Sequence, residues 1–431
     1  MQQVKNIIII GAGYGGVKAA KVLNKELKKN KDCNIVLIDR NPYHTLMTEL
    51  HEAAGGKLEP DALKIYLKKI FAGKKVNIVT DEVKNVDFTD KTVITKKDKF
   101  KYDYLIIATG ADPVFFGVPG AKENCFTLWS LDDAVRIKEH IEKMFLAASR
   151  ETDEKKKKEY LTFIVAGAGL TGIELAGELL NWKKSLCNRY LIEPELVSLK
   201  IIEAQKNILP TLPEKLQIKT KKYLEKKNVE VLTDSPITEV SNDSLFINKK
   251  PAFTSKTIIW TCGVAGGSFA QSIDLAKEKN ARIKVNDYMQ SMDHPDVYIA
   301  GDIVWYKEKD VAHPQIVETA LQTGENAAKN IVRDIKGKKK EKLKAKYHGQ
   351  MVSIGSYYGV ANLMNIRMSG FISLVMKHLV NLHYLLSVTG INQVWDYLKH
   401  HFLDTKDNRS LIGGLAAGKT RFYWIILLRL F

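Results

Sequence analysis

Four cysteines in 431 residues leave little room for thiol chemistry. Cys33, Cys125, Cys187 and Cys262 stand far apart in the chain. No CxxC or CxxxxC pair exists for dithiol exchange, and no cysteine set has structural zinc spacing. A reducing compartment fits this usage best. Long apolar runs are also missing: none approaches the ~20 residues that a helix needs to cross a bilayer. The first strand pattern begins at Val4, leaving no room for a signal or transit peptide. The expected protein is therefore cytosol-facing, or lies on a membrane without crossing it. Acidic residues are few beside basic ones, 49 against 66, a formal charge of +17. Such a surplus suits an anionic partner, whether nucleic acid, acidic protein or a membrane face; a lysine-rich, solvated surface gives the same number.

The length suits two or three domains. Val4 to Ile10 is a buried-strand run followed at once by glycines, then a helical stretch from Gly15 to Lys29 and a second strand from Ile35 to Ile38. Tyr104 to Ile107 is another strand, closed by Ala108-Thr109-Gly110, and Asp132 to Ser149 reads as an amphipathic helix. The charged run Glu151 to Glu159 reads as an exposed loop. The plan then restarts. Leu161 to Val165 is a strand, Ile173 to Leu180 is helical, Leu199 to Ile202 is a strand, and Ile258 to Trp260 ends in Thr261-Cys262-Gly263. Val297 to Ala300 is a strand ending in Gly301-Asp302, Ile316 to Arg333 is a helix, and Lys336 to Lys346 is a basic, solvated run. The chain thus holds two copies of one nucleotide-binding plan.

Each copy carries a glycine fingerprint between its strand and helix. The first is Gly11-Ala12-Gly13-Tyr14-Gly15-Gly16. Gly11 permits the tight turn, Gly13 lets phosphates approach the backbone, and Gly16 lets the helix pack on the sheet. The helix N-terminus then faces a pyrophosphate. Asp39 ends the second strand, where an acid accepts from ribose hydroxyls, with Arg40 beside it. The second fingerprint is Gly167-Ala168-Gly169-Leu170-Thr171-Gly172, with Glu203 in the matching place. An acid there favours a free ribose 2′-hydroxyl over a 2′-phosphate by charge repulsion, hence NADH over NADPH. Two dinucleotide sites in one chain imply FAD in one and a nicotinamide in the other.

With these motifs the chain resembles the two-dinucleotide-binding-domain flavoproteins, and within them type II NADH:quinone dehydrogenases, over nearly its whole length. The resemblance implies that the Asp39 fingerprint, Ala108-Thr109-Gly110 and Val297-Tyr-Ile-Ala-Gly301-Asp302 hold FAD, and that the second fingerprint with Glu203 and Gly263 holds NADH. Three stretches carry the subfamily likeness. Asn41-Pro-Tyr-His44 with Thr48, Leu50, His51 and Glu52 is similar to a stretch beside the flavin, with Thr48 a flavin contact. In Gly169-Leu-Thr-Gly172-Ile-Glu174 the family's glutamate lies next to nicotinamide and flavin. Ala320-Leu321-Gln322-Thr-Gly324-Glu325 resembles the motif lining the quinone pocket, with Ala320 and Leu321 toward FAD and Gln322 toward the quinone. The chain departs from the pattern at Val317 and Glu318, where the family has Ala-Gln, and at Cys262, where it has alanine.

Glu174, in the first turn of a helix, would also gain about 0.3–1 kcal/mol from the helix dipole. Its functional reading is to orient the nicotinamide or to feed a proton to reduced flavin or quinone, since two-electron quinone reduction consumes two protons. Gln322 either caps its helix or polarises a quinone carbonyl without a fixed charge. Asp302 is a helix N-cap or a ligand of the ribityl–pyrophosphate region. His44 and His51 read as hydrogen-bonding residues, because no third ligand stands at a metal spacing and no metal is expected. Cys262 reads as a small packing residue.

The C-terminal region changes character. From Phe371 to Val388 an apolar helix carries a polar stripe of Ser373, Lys377 and Asn381, with His378 beside it. Val394, Trp395, Leu398 and Phe402 continue the apolar pattern, with Lys399, His400 and His401 opposite, and Phe422 to Phe431 is an apolar, aromatic tail with Arg421 and Arg429. Apolar faces with aromatic anchors and cationic rims suit helices lying in a membrane interface; helix–helix packing in a core or dimer is compatible.

The expected fold is α/β: two Rossmann-like dinucleotide-binding domains, the second inserted in the first, plus a C-terminal amphipathic helical membrane-docking segment. The boundaries fall at 1–112 and 295–350 for the FAD-binding domain, 113–294 for NADH, and 351–431 for membrane association. The expected enzyme passes hydride from NADH to FAD and two electrons to a membrane quinone without pumping protons. Its partners are a quinone and an anionic membrane surface, with no nucleic acid, as a homodimer peripheral to the cytoplasmic face of the cell membrane. Alternatives are a redox-sensing binding protein similar to apoptosis-inducing factor, for which the positive charge could suit nucleic acid, and a sulfide:quinone reductase-like enzyme. The second needs a cysteine pair near the flavin, and none stands near Ser353 or Ser356. A soluble ferredoxin or disulfide reductase lacks the membrane segment and needs cysteines that are missing here.

Overall fold

Ile7, Ile8, Ile9 and Ile10 are β-branched and buried on both faces, the pattern of a central parallel strand. In the computed structural model, which describes residues 4–308 and 311–400, they form the middle of a five-stranded parallel sheet. Its order is Val297–Ile299, Tyr104–Ile107, Lys5–Ile10, Cys33–Asp39, Asn77–Thr80. The chain winds outward on one side of Lys5–Ile10 and returns on the other. A crevice therefore opens at its C-terminal end, where ligands bind in sheets of this kind. Gly11 turns the chain there at φ +98°; a Cβ on it would lie 2.4 Å from the Ala108 carbonyl oxygen. This sheet belongs to a first compact unit of Met1–Thr45, Lys64–Pro113 and Val264–Tyr347.

The second unit comprises Leu46–Leu63, Val114–Gly263 and His348–Phe431. Its sheet repeats the plan in the order Phe126–Thr127, Thr257–Trp260, Thr162–Ala166, Ser198–Ile202, Val229–Leu232. All its pairings are parallel. A three-stranded antiparallel sheet, Gly349–Ile354, Tyr358–Leu363 and Ile366–Ser369, carries the helix Phe371–Thr389. The helix Leu170–Tyr190, which follows the second fingerprint, lies against Gly349–Ile354. That approach depends on Gly177, whose added Cβ would fall 2.4 Å from the Gly355 nitrogen.

Three details differ from the sequence reading. The charged run expected as a loop forms the helix Glu154–Tyr160, because Asp153 caps it, accepting from the Lys155 and Lys156 N–H groups. Residues 264–294, read with the NADH domain, group with the first unit, where Val264–Gly266 pairs with Ala111–Pro113. The helix Phe371–Thr389 is, by length and composition, apolar enough to cross a membrane. Its polar residues interrupt every apolar run, so the sequence holds no unbroken apolar stretch there. Phe402, His401 and the aromatic tail lie outside the described residues.

Gly177→Ala should lower the unfolding free energy by about 1–3 kcal/mol, because backbone must yield to the new methyl. Thermal melts monitored by circular dichroism check this; an unchanged midpoint would show that helix and strand can part freely.

Candidate functional site

The first fingerprint is built as a cradle for a dinucleotide. Asp39 Oδ2 accepts the Ala12 N–H at 2.6 Å and Oδ1 accepts the Asn41 N–H at 2.7 Å. Burial pushes the Asp39 carboxyl up, and these two bonds pull against it. Each oxygen keeps a lone pair for a ribose hydroxyl. Arg40 is exposed beside it. A Cβ on Gly13 or Gly110 would meet nothing within 4 Å, so the backbone at both is open to a ligand. Gly15 is hemmed in by the Ala320 oxygen and Gly301 nitrogen, each 3.2 Å from its would-be Cβ. That closeness joins the fingerprint to the segments of Gly301 and Ala320. Gly16 and Ala108 are buried at the same turn, and Leu321 is half-buried. Tyr14 sets its ring edge-on to His44, 4.8 Å between centroids. Full burial pushes His44 down to about 4, against its bond to the Ala12 carbonyl, so it stays a neutral packing and hydrogen-bonding residue.

Two buried oxygens in this cradle have no hydrogen-bond partner: Thr109 Oγ1 and Asp302 Oδ1. Burial pushes the Asp302 carboxyl up to about 6, although the Arg282 guanidinium opposes the rise. Asp302 lies in the short turn Gly301–Ile303 and makes no side-chain cap bond there, so its N-cap reading falls away. An acceptor left buried and unpaired fits a cofactor hydroxyl. The residues of the first unit therefore fit FAD.

The second fingerprint copies the first atom for atom. Glu203 Oε2 accepts the Ala168 N–H at 2.7 Å and Oε1 accepts the Gln205 N–H at 2.9 Å. Gly167 turns at φ +96° and Gly263 at φ +139°, the latter facing the Phe116 ring. A Cβ on Gly169 would again meet open space. Leu170 is half-buried, Thr171 exposed and Gly172 buried at the helix start. Burial pushes the Cys262 thiol up to about 12, in keeping with a packing residue beside Trp260.

Glu174 stands at the centre of a buried network that the sequence did not show. Its Oε1 accepts from Lys377 Nζ at 2.7 Å, the Ser353 N–H at 3.1 Å and Ser353 Oγ at 3.2 Å. Lys377 Nζ also donates to Ser353 Oγ at 2.7 Å and lies 3.3 Å from His51 Nε2, while His51 Nδ1 is 3.7 Å from Glu174 Oε2. Burial alone would push the Glu174 carboxyl up; the Lys377 ammonium, His51 and the hydrogen bonds outweigh it and hold the group below its ordinary range. Desolvation would likewise lower Lys377, but the carboxylates of Glu174, Glu49 and Glu52 raise it. One turn on, Glu178 is fully buried, and ligand atoms of His51, Glu52 and Glu178 lie within 4.8 Å of one another. Lys57 Nζ lies 3.1 Å from Glu52 and 3.9 Å from Glu178. Asn381 donates to Glu49 and lies 3.3 Å from the Tyr397 hydroxyl, which sits 2.8 Å from His378 Nδ1.

The polar stripe of the helix Phe371–Thr389 thus faces inward: Ser373, Lys377 and His378 are buried. Its outward side shows Ile372 (58% exposed), Leu379, Val380 and Leu386, with Trp395 (65%) on the next helix. The signal that could have found Lys377 was the stripe itself, since a single lysine row on an apolar helix needs a buried anion as much as it needs water. Gln322 is engaged elsewhere. Its amide donates to the Lys346 carbonyl at 2.7 Å and accepts the Lys346 N–H at 2.8 Å, clamping the basic run to its helix. Thr48 lies in the short turn Met47–Glu49 just before His51.

Because the folded Asp302 carboxyl titrates near 6 and an unperturbed one near 3.8, flavin-free protein should lose stability as pH rises through that window. Ionising a buried group opposes folding. Asp302→Asn should flatten this slope and weaken FAD retention. Melts across the pH range check it; a slope surviving in the variant would assign it to other groups.

Against known proteins, residues 5–324 match the family of pyridine nucleotide-disulphide oxidoreductases. The chain is 30% identical over 397 residues to the type II NADH:quinone oxidoreductase of Staphylococcus epidermidis, covering 90% of this chain and 97% of that one. It is 29% identical over 399 residues to the Staphylococcus aureus enzyme of the same name, with the same coverage. Among solved structures, NDH2 from Plasmodium falciparum in complex with NADH matches with TM-score 0.82 at 21% identity, covering 92% of this chain and 98% of that one. A sulfide:quinone oxidoreductase from Aquifex aeolicus shares the fold at TM-score 0.71 and 19% identity, covering 89% and 91%. With both fingerprints, their distal acids and relatives matched along almost their whole length, the chain belongs to the type II NADH:quinone oxidoreductases, within the pyridine nucleotide-disulphide oxidoreductase family.

Proposed function

We propose that in this NADH:quinone oxidoreductase the quinone is reduced beside the Glu174–Lys377 pair, and that the protein works at a membrane surface. The buried pair is the observation that supports the first part. Bound FAD supplies the two-electron relay between nicotinamide and quinone. The chain's own task is to hold both dinucleotides and to deliver protons. Asp39, Thr109 and Asp302 hold FAD; Glu203 takes the NADH ribose and disfavours a 2′-phosphate. The hydride of NADH brings two electrons and one proton, so forming the quinol takes one further proton from water. Glu174, kept ionised, orients Lys377 and Ser353, and the Lys377 ammonium, 2.7 Å from the carboxylate, is a buried proton donor. The family resemblance implies that Glu174 lies next to nicotinamide and flavin, which supports a role in stabilising charge that develops on the quinone. Gln322, with its amide already clamped to Lys346, has the weaker claim to the quinone.

The outward row of Ile372, Leu379, Val380 and Leu386 supports docking in the interface of an anionic leaflet, on the cytoplasmic face. The same helix holds Lys377 inside the fold, so membrane contact and proton donor share one element. The family resemblance implies a homodimer and no proton pumping. The redox-sensor reading has no observation of its own.

In purified holoenzyme, Glu174→Gln or Lys377→Met should slow quinone turnover by about a hundredfold, the range of lost acid–base catalysis, while flavin content stays normal. Because a lone buried charge is costly, the double variant should be more stable than either single one without regaining turnover. Full quinone turnover in Lys377→Met would remove the proposal. Separately, Ile372→Ser, Leu379→Ser and Leu386→Ser together should release the protein from vesicles containing phosphatidylglycerol in a flotation assay; undiminished flotation would place the docking surface elsewhere.

A further inference from the structure

Phe116 is a bulky apolar side chain, 62% exposed, on a backbone with φ +52°. Exposure and conformation are both unfavourable for it, and its ring stands beside Gly263. Resting on the reading that the second fingerprint and Gly263 hold NADH, we propose that Phe116 is a binding residue for the nicotinamide half of that dinucleotide, presented by a strained turn.

The turn runs from Phe115 to Val118. The Val118 N–H donates to the Phe115 carbonyl at 2.9 Å, and both central residues have positive φ, +52° at Phe116 and +71° at Gly117. Positive φ at both centres is the type I′ pattern, for which Asn-Gly is the favoured pair. A phenylalanine in the first place is an outlier, because its Cβ crowds the backbone in the left-handed region. Its neighbours hold it there. The Phe115 ring packs on Trp260, 5.8 Å between centroids, within the core of the second sheet. Trp260 Nε1 donates to the Val114 carbonyl at 2.9 Å, and the Val114 N–H donates to the Gly263 carbonyl at 3.1 Å. The turn is thereby fastened to the end of the strand Thr257–Trp260, and a Cβ on Gly263 would lie 3.6 Å from Phe116 Cζ. Strain kept in place by anchored neighbours, on a ring that gains little burial from folding, marks a position kept for a ligand.

Sheet order says which half of the ligand comes there. Thr261 Oγ1 donates to the Ala166 carbonyl at 2.8 Å and lies 3.1 Å from the Gly167 carbonyl, so the end of Thr257–Trp260 is stitched to the fingerprint. The strand Thr162–Ala166, which leads into that fingerprint, lies between Thr257–Trp260 and Ser198–Ile202. In sheets of this kind the pyrophosphate sits at the glycine turn of the middle strand, and the two nucleoside halves fall to either side. Glu203, just after Ser198–Ile202, takes the adenosine ribose. The nicotinamide half then falls on the opposite side, at Gly263 and Phe116. A Cβ on Gly117 would meet nothing within 4 Å, so the turn does not close that side. A ring already held rigid loses little freedom when a second ring packs on it, and the ligand covers the apolar face that water now touches.

Calorimetric titration of oxidised holoenzyme, which binds NAD+ without turnover, reads the contact directly. Phe116→Ala should weaken NAD+ by about tenfold and leave ADP, which carries the adenosine half alone, bound as in wild type. Phe116→Tyr keeps the ring and should restore NAD+ binding. In turnover, the KM for NADH should rise in Phe116→Ala while the KM for a short-chain quinone holds. Phe116→Asn gives the turn the Asn-Gly pair it favours. It should raise the melting midpoint and still weaken NAD+ as Phe116→Ala does, a combination that a merely structural residue would not give. Wild-type NAD+ affinity in Phe116→Ala, equal losses of NAD+ and ADP, or a lowered midpoint in Phe116→Asn would overturn the proposal. Gly169→Val tests the reading beneath it, because its side chain enters the space left open for the pyrophosphate, so both ligands should be lost. If both still bind, the second fingerprint is not the NADH site and the Phe116 contact falls with it; if both are lost while Phe116→Ala binds NAD+ like wild type, the Phe116 contact alone is wrong.

Discussion

The second unit is organised around one buried ion pair, Lys377 with Glu174. A charge inside a protein must be matched by an opposite charge and by hydrogen bonds, because desolvation otherwise outweighs attraction. Here Lys377, the Ser353 amide and the Ser353 hydroxyl all converge on one carboxylate oxygen. Helix, strand and C-terminal helix are thereby tied at one point. Gly177 is part of the same requirement, since the helix bearing Glu174 must reach the backbone next to Ser353 and Ile354.

This pair also explains an inversion in the C-terminal helix. Soluble amphipathic helices put apolar residues in and polar ones out. Phe371–Thr389 turns Ser373, Lys377 and His378 inward and leaves Ile372, Val380 and Leu386 outside. An apolar exterior is stable where the outside is hydrocarbon, and a polar interior is stable where the partners are already waiting. The helix therefore joins a buried charged network on one side to an exposed apolar row on the other.

The two fingerprints are copies down to single hydrogen bonds. Asp39 and Glu203 each take the N–H of the residue after the first glycine and that of the residue two beyond the acid itself. Each acid so placed pins the glycine turn and keeps lone pairs for ribose. The copies differ in what completes them. The first unit adds Thr109 and Asp302, with oxygens left unpaired; the second adds Glu174, one of whose oxygens accepts three hydrogen bonds.

By itself the sequence determined the central strands of both sheets, both glycine turns, their distal acids and the family, because each rests on short-range spacing: strand, glycine, helix, acid. It misplaced the Glu151–Glu159 run, where a single cap at Asp153 outweighed charge as a signal. It gave Gln322 a role toward quinone without showing that Lys346 engages its amide. Only the tertiary structure decided the rest. Lys377, Ser353, His51, Glu52, Lys57 and Glu178 come from separate segments, and no periodicity records which distant ion will neutralise a buried one. A stripe of polar residues looks the same in sequence whether it faces water or a carboxylate; packing alone chooses, through the cost of leaving a charge unpaired.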